Sequence, residues 1–444
     1  MSIDRKDILA AEYPIELAFG LKEIATTLRS IKTREDMDTD DSRIKLYFSL
    51  GDNSQVTTLS AQDDVRIMIK YQNKTSAFRS LGRILGLSSG VENLRNECLQ
   101  FDTLGAMIDC SRGAVPLVET LMELIRFMAL MGLNTLQLYM EDTYEIVNEE
   151  CFGLFRGAYS AEELRMIDDY AWNFGIEVWP CIQVLGHLGQ VLQWPRFEAV
   201  KNNSEVLLVG LQETYMLIEK MIDAVSSVFR SKRIHLGMDE AQGIGDGRYK
   251  SMFESKDSRQ IFIDHLIAVN DLCLKKNLVP FIWSDMLFAQ AGDLKGYYET
   301  SAPIELSAKL PKNVNLVYWD YYHCKPQDYS RKIKDHRDLG FEPWVAGGIW
   351  TWNRFVVSLP FTFEASKALF SACKQQKVRN VFATVWYTFC LNQGETTAMN
   401  MIFFQFFLGF NILPNKVTLL ITKSMNRNYA VILKEFVEAI LMIG

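Results

Sequence analysis

The chain has 444 residues, of which 48% are hydrophobic, 23% charged and 12% aromatic. Forty-seven Lys and Arg against 54 Asp and Glu leave a net charge of −7. No basic surplus exists to neutralise phosphates, which argues against a nucleic-acid protein, and apolar content this high excludes a disordered chain.

At roughly 100–200 residues per domain, the length predicts two or three domains. Residues Met1 to Asp7 carry no apolar signal core and no small-residue cleavage site. The most apolar stretch, Met399 to Leu413, is followed by Pro414, Asn415 and Lys416. It is short of the roughly 20 residues a spanning helix needs and reads as a buried core helix. A cytoplasmic protein without a membrane partner is the expectation. The 8 cysteines (98, 110, 151, 181, 273, 324, 373 and 390) are scattered without CxxC spacing and read as reduced thiols. The 5 histidines (187, 235, 265, 323 and 336) form no HExxH or paired-ligand pattern, so a zinc site is not expected.

Residues 1–97 predict a small α+β domain. Arg43–Leu50 and Val65–Tyr71 read as strands, and Thr75–Leu87 reads as a helix. From residue 98 to 444 the pattern repeats strand then helix. Strands are expected at Gly105–Cys110, Thr135–Met140, Glu177–Gln183, Arg233–Met238, Val279–Ser284, Asn315–Trp319, Trp344–Gly348 and Asn380–Trp386. Helices are expected at Val118–Met131, Ala161–Phe174, Val206–Phe229, Ile261–Lys276 and Phe363–Gln376. Short continuous apolar strands suit a parallel sheet covered on both faces. Their number fits a (β/α)8 TIM barrel. A doubly wound sheet would carry a glycine-rich first turn, and none follows the first strand. Gly243 to Gly247 comes after the fourth, with the wrong spacing.

In a barrel, chemistry collects where the strands end. The strand ends run into Asp109 and Arg112, then Glu141 and Asp142, then Gln183 and His187. Asp239-Glu240, Trp283-Ser284-Asp285, Trp319-Asp320-Tyr321, Trp350 and Trp352, and Trp386 follow. Of 9 tryptophans, those five gather at one rim. Such aromatics suit a sugar, whose C–H face is apolar and whose edge is hydroxyl. Adjacent carboxylates after a buried strand raise one another's pKa, which suits a general acid; a salt-bridged pair is the plainer alternative.

The segments Asp109-Cys110-Ser111-Arg112, Leu138-Tyr139-Met140-Glu141-Asp142-Thr143-Tyr144 and Phe155-Arg156-Gly157-Ala158-Tyr159-Ser160-Ala161-Glu162-Glu163-Leu164 belong together with three later ones. Those are Gly237-Met238-Asp239-Glu240-Ala241, Trp283-Ser284-Asp285-Met286 and Leu316-Val317-Tyr318-Trp319-Asp320-Tyr321-Tyr322. In this order they resemble glycoside hydrolase family 20, most closely the bacterial cytoplasmic-type β-hexosaminidases and glucosaminidases of the streptococcal kind. The resemblance runs from about residue 100 to 386.

The resemblance implies an exo-acting, retaining β-N-acetylhexosaminidase in which the substrate's own acetamido oxygen attacks the anomeric carbon, forming an oxazolinium. Glu240 would be the acid/base, Asp239 would orient the acetamido N–H, and Tyr321, rather than Tyr318, would hold the acetamido oxygen. Arg112 would grip sugar hydroxyls, and Trp283, Trp319, Trp350, Trp352 and Trp386 would wall the pocket. Asp142 and His187, with Asp285 as a further candidate, would lock the Asp-Glu pair. The substrate would be an oligosaccharide or glycoconjugate ending in β-GlcNAc or β-GalNAc, and the resemblance implies no metal or organic cofactor. Relatives suggest a homodimer.

Two departures stand out. Relatives read Trp-Gly-Asp-Asn-Gly-Gly-Glu-Thr after the eighth strand, whereas this chain reads from Trp386 through Tyr387 and Asn392 to Glu395-Thr396. The Asp is absent, and Glu395 is left to reach the outer hydroxyls. Relatives also continue into a helical C-terminal domain, where this sequence stops at Gly444. An alternative expectation is therefore a weakened homologue that binds amino sugars without turnover. A two-carboxylate retaining glycosidase is a third, disfavoured because neighbouring side chains on one strand end point apart.

Overall fold

The computed structural model describes residues 8–28, 31–33, 44–61, 64–85, 99–112, 115–289, 293–352 and 358–386. The expected helix at 399–413, Glu395, and the boundary drawn at 97/98 all lie outside the described residues.

The N-terminal part holds β1 (Ile8–Glu12), α1 (Ile15–Leu28), β2 (Lys32–Thr33), β3 (Ile44–Leu50), β4 (Gln55–Ala61), β5 (Asp64–Tyr71) and α2 (Lys74–Leu85). Its sheet has the order β2-β1-β3-β5-β4, parallel except for β4 against β5. Alternation in β3 buries Ile44, Leu46 and Phe48 against the helices. Those helices carry the layer onto the rest of the chain.

Eight parallel strands follow: β6 (Thr103–Asp109), β7 (Thr135–Glu141), β8 (Glu177–Ile182), β9 (Arg233–His235), β10 (Val279–Trp283), β11 (Asn315–Trp319), β12 (Trp344–Ile349) and β13 (Asn380–Val385). They close in chain order, with β13 pairing back onto β6 through Val381 and Leu104. Every residue of β6 and β7 is buried, as strands with side chains in both the barrel interior and the helix layer require. The fold is a (β/α)8 barrel preceded by an α+β layer.

The helices are α3 (Val118–Met131), α4 (Ala161–Asn173), α5 (Gly189–Leu192), α6 (Gln212–Ser226), α7 (Gly247–Met252), α8 (Ser258–Lys275), α9 (Asp285–Phe288), α10 (Leu294–Glu299), α11 (Pro326–Asp338) and α12 (Leu359–Gln375). Helix α4 starts on a capping box: Ser160 Oγ accepts the Glu163 N–H at 3.2 Å, and Glu163 Oε2 accepts the Ser160 N–H at 2.8 Å. The two parts meet where α1 and α2 pack on α3 and α4. Phe78 packs on Phe174 with ring centroids 5.1 Å apart, and Tyr170 donates its hydroxyl to Glu23 at 2.7 Å.

Three readings needed correction. The fourth barrel strand stops at His235, not Met238, because Gly237 and Met238 adopt φ of 67° and 69°, which no strand accommodates. Helix α6 is shorter than the expected Val206–Phe229, since residues 206–211 run in extended turns first. Helices α1 and α11 and the short α5, α7, α9 and α10 are additions to the expected set. In α11 the many charged residues leave only Tyr329, Lys332, Ile333 and His336 facing inward, too thin a stripe to read. Among the described residues, six cysteines are unpaired thiols, and no helix is long and apolar enough to cross a membrane.

Candidate active site

The strand ends converge on a cleft of about 620 Å³ lined by Arg112, His187, Asp239, Glu240 and an aromatic set. Asp239 is largely buried in its wall, while the Glu240 side chain is 36% exposed and reaches the open space.

A sharp turn puts the two carboxylates there. After β9 the backbone takes left-handed values at Gly237, at Met238 and, with φ 47°, at Glu240. Such strain at non-glycine residues costs of order 1–3 kcal/mol each and persists only where neighbours over-determine it. Gln183, just past β8, is the main neighbour. Its Oε1 accepts the Met238 N–H at 3.1 Å, and its Nε2 donates to Asp239 Oδ1 at 2.7 Å and to Tyr139 Oη at 2.9 Å. Beneath the turn, His235 Nδ1 accepts the Gly237 N–H at 3.1 Å, which assigns its proton to Nε2. Burial pulls its pKa down to about 3, so it stays neutral.

Two further groups flank the turn. His187 Nε2 lies 3.3 Å from Asp239 Oδ2 and 3.5 Å from Glu240 Oε2, aligned for an ion pair rather than a linear hydrogen bond to either. Asp285 Oδ2 accepts the backbone N–H of Glu240 at 3.0 Å. Burial would lower the His187 pKa, but the Asp239 carboxylate and the contacts to both acids hold it well above the ordinary value. Burial likewise works against the Asp239 carboxylate, yet His187 and Gln183 keep it below the usual range. For Asp285, burial and then the negative Asp239 both push the pKa up. The carboxyl pair driven apart is therefore Asp239 with Asp285, which the adjacent Asp-Glu dipeptide did not reveal.

Opposite stands Arg112. Its Nη1 meets Asp109 at 3.3 Å, its Nη2 meets Glu141 at 3.3 Å, and the guanidinium lies 5.0 Å from the Tyr139 ring centre and 5.1 Å from that of Trp386. The stacked, two-sided hold fixes its plane. Asp109 anchors the loop as well, accepting the Ser111 N–H at 2.9 Å.

Aromatic rings complete the walls. Trp283 forms the floor, packed at 4.5 Å on His235, and Trp386 stands edge-on to Tyr139 at 4.7 Å. Trp319 and Tyr321 lie 5.2 Å apart at 31°, and Tyr321 meets the edge of Trp352 at 5.2 Å. Tyr322 joins the lining; Trp350 does not, since it stacks behind Trp352 at 4.9 Å and 17°. Asp142 is not with the Asp-Glu pair either: it takes Arg156 Nε at 3.2 Å. Glu141, unassigned from sequence, is the carboxylate that stands behind the cleft and pairs with Arg112. Alternation along β7 does not predict its direction: the pairing register shifts between Tyr139 and Glu141, Glu141 takes φ 41°, and its Oε1 accepts the Tyr139 hydroxyl at 3.0 Å. Trp319, the last residue of β11, and Tyr321 just past it both line the cleft. Tyr318 faces outward and donates to Asp320 Oδ2 at 2.7 Å.

His187, Asp239 and Glu240 bring one nitrogen and two oxygens within 4.8 Å of one another, the grouping of metal-ligand types among the described residues. With His187 held as the cation of that trio, the arrangement is that of an ion pair.

Comparison with known proteins places these features. The model of the glycosyl hydrolase family 20 catalytic domain matches residues 101–328. The chain is 26% identical over 220 residues to hexosaminidase D of Homo sapiens, an alignment covering 47% of this chain and 43% of that protein. It is 23% identical over 329 residues to beta-hexosaminidase 1 of Coccidioides posadasii, covering 65% of this chain and 52% of the other. The chain thus spans about half the length of these relatives. Among solved structures, the exo β-N-acetylglucosaminidase of Vibrio harveyi superposes with a TM-score of 0.66 at 15% identity, over 96% of this chain and 75% of that one. At that identity the likeness is one of fold.

Proposed function

The chain belongs to glycosyl hydrolase family 20, and from that membership and the site's geometry we propose that it is an exo-acting, retaining β-N-acetylhexosaminidase. It would remove terminal β-linked GlcNAc, or GalNAc, from oligosaccharides and glycoconjugates. The motifs around Arg156 and Asp239 also support the likeness to the bacterial cytoplasmic-type enzymes.

One observation carries the reading. Two neighbouring carboxylates leave the same turn in opposite circumstances, Asp239 buried and clamped by Gln183 and His187, Glu240 facing the cleft. A clamped, ionised carboxylate suits electrostatic work, and one in open space suits proton transfer. In the first step Glu240 gives its proton to the glycosidic oxygen as the C1–O bond breaks. The acetamido oxygen forms its bond to C1, and the resulting oxazolinium carries the positive charge. Asp239 accepts the acetamido N–H and stabilises that charge. The Tyr321 hydroxyl, whose pKa burial raises, donates to the acetamido oxygen. In the second step water attacks C1, Glu240 takes its proton, and the oxazolinium reopens with the anomeric configuration retained. Arg112, held by Glu141, receives hydroxyls at the far side of the ring. The clamp on Asp239 also weighs against its acting as a direct nucleophile.

Hydrolysis of a chromogenic aryl β-GlcNAc, run beside the matching β-glucoside and the Glu240→Gln variant, tests the proposal. Turnover of the N-acetyl substrate alone, abolished by Glu240→Gln, is expected. Saturable binding of GlcNAc-thiazoline without turnover would replace it with a sugar-binding homologue.

A further inference from the structure

We infer that Asp285 is a positioning residue for the acid/base: by holding the Glu240 backbone in its left-handed turn, it aims the Glu240 carboxyl at the leaving-group oxygen. The inference rests on the hexosaminidase reading of the site.

Glu240 cannot keep φ at 47° by itself, and within the turn the Gln183 hydrogen bonds reach Met238 and Asp239 but not Glu240. Its N–H is fixed by Asp285 Oδ2 at 3.0 Å. The other oxygen, Oδ1, lies 3.4 Å from Trp319 Nε1, so one carboxyl ties the acid/base to an aromatic wall of the cleft.

Asp285 is itself rigidly mounted. The preceding Ser284 donates its N–H to Val317 O at 3.1 Å, and its hydroxyl meets His336 Nε2 at 2.8 Å. His336 is fully buried, its Nδ1 2.7 Å from Lys332 O in α11. Helix α9 begins at Asp285 and is closed by the Ala289 N–H on Asp285 O at 3.1 Å.

The position is also an expensive one for a carboxyl. Asp285 is 6% exposed, stands near Asp239, and forms no ion pair with a Lys, Arg or His among the described residues. A buried acid without a cation destabilises a fold, and a neutral side chain of similar shape would relieve that cost. What the carboxyl provides in return is a pair of acceptors for the Glu240 N–H and the Trp319 indole.

The test uses two substrates with the same sugar and opposite needs for protonation. The 2,4-dinitrophenolate of an aryl β-GlcNAc leaves unaided, whereas the leaving sugar of chitobiose must be protonated. In Asp285→Ala, kcat/KM for chitobiose should fall about 10²-fold, the lower range for a lost general acid. For the dinitrophenyl substrate it should fall by less than about fivefold, with GlcNAc-thiazoline affinity unchanged. Asp285→Asn keeps an acceptor for the Glu240 N–H and should recover most of the chitobiose activity without lowering Tm. Equal losses on both substrates, or an Asn variant no better than Ala, would overturn the inference. Hydrolysis by the unmodified chain reports on the hexosaminidase reading, and the ratio of losses reports on Asp285, so the two fail separately.

Discussion

His187 stands against Asp239 with its Nε2 3.3 Å from the carboxylate Oδ2, and each holds the other in its charged form. The consequence is a pH window. The His187 pKa is raised on folding, so its contribution to stability is complete below the unfolded value of about 6.5 and is lost as pH rises through the raised one. The Asp239 pKa is lowered, so its contribution is complete above about 3.9 and is lost as pH falls through the lowered one. Between those limits the pair is fully formed. The Tm difference between the parent and His187→Gln should therefore be greatest from roughly pH 4 to 6.5 and shrink outside it. A difference that ignores pH would show that the two are not an ion pair.

Arg112 is expected to respond to substitution in two distinguishable ways. Lysine keeps the charge but loses the fork that spans Asp109 and Glu141, so kcat/KM should fall about 10²-fold with little change in Tm. Alanine strands Glu141, which is 7% exposed, without its cation, and should cost about 3 kcal/mol of stability. Adding Glu141→Gln should return part of that stability and none of the activity. Urea denaturation of the two single variants and the double variant measures the coupling.

Gly237 has no substitute. Its φ of 67° disfavours any side chain, and a Cβ there would come within 2.1 Å of Gln183 Oε1. Gly237→Ala should break the Gln183 hold on the Met238 N–H and on Asp239 together, costing at least about 2 kcal/mol and nearly all activity. Wild-type turnover in a folded Gly237→Ala protein would mean that the turn is free to relax without moving the acids.

The barrel was legible because its strands are continuous apolar runs and their ends carry acids and tryptophans at regular intervals. The expected strand Asn315–Trp319 and helix Val118–Met131 coincide with those observed. What escaped was set by side-chain direction and tertiary contact. Asp142 and Glu141 are indistinguishable as letters, and only the irregular end of β7, with φ 41° at Glu141, sets Glu141 against Arg112. Trp350 and Trp352 look equivalent in sequence, yet one stacks behind the other. Gln183 was visible only as a strand end. Its three hydrogen bonds reach residues 44 to 56 positions away, a relationship no local pattern encodes.

Gly348 tests whether the aromatic wall is as tightly set as the proposed chemistry needs. It lies beneath Tyr321, where an added Cβ would sit 2.6 Å from Tyr321 Cδ1 and 2.9 Å from a ring carbon of Trp352. Both neighbours are rings already packed on others, Tyr321 on Trp319 and Trp352 on Trp350, so neither can swing aside freely. Gly348→Ala should shift the Tyr321 ring by roughly half an ångström or more and cost about 1–3 kcal/mol as overpacking. A misplaced donor weakens the hold on the acetamido oxygen, so KM for an aryl β-GlcNAc and the Ki of GlcNAc-thiazoline should both rise about tenfold or more. If Tm falls while KM and Ki stay put, the ring has moved without consequence, and the acetamido group is held by something other than Tyr321.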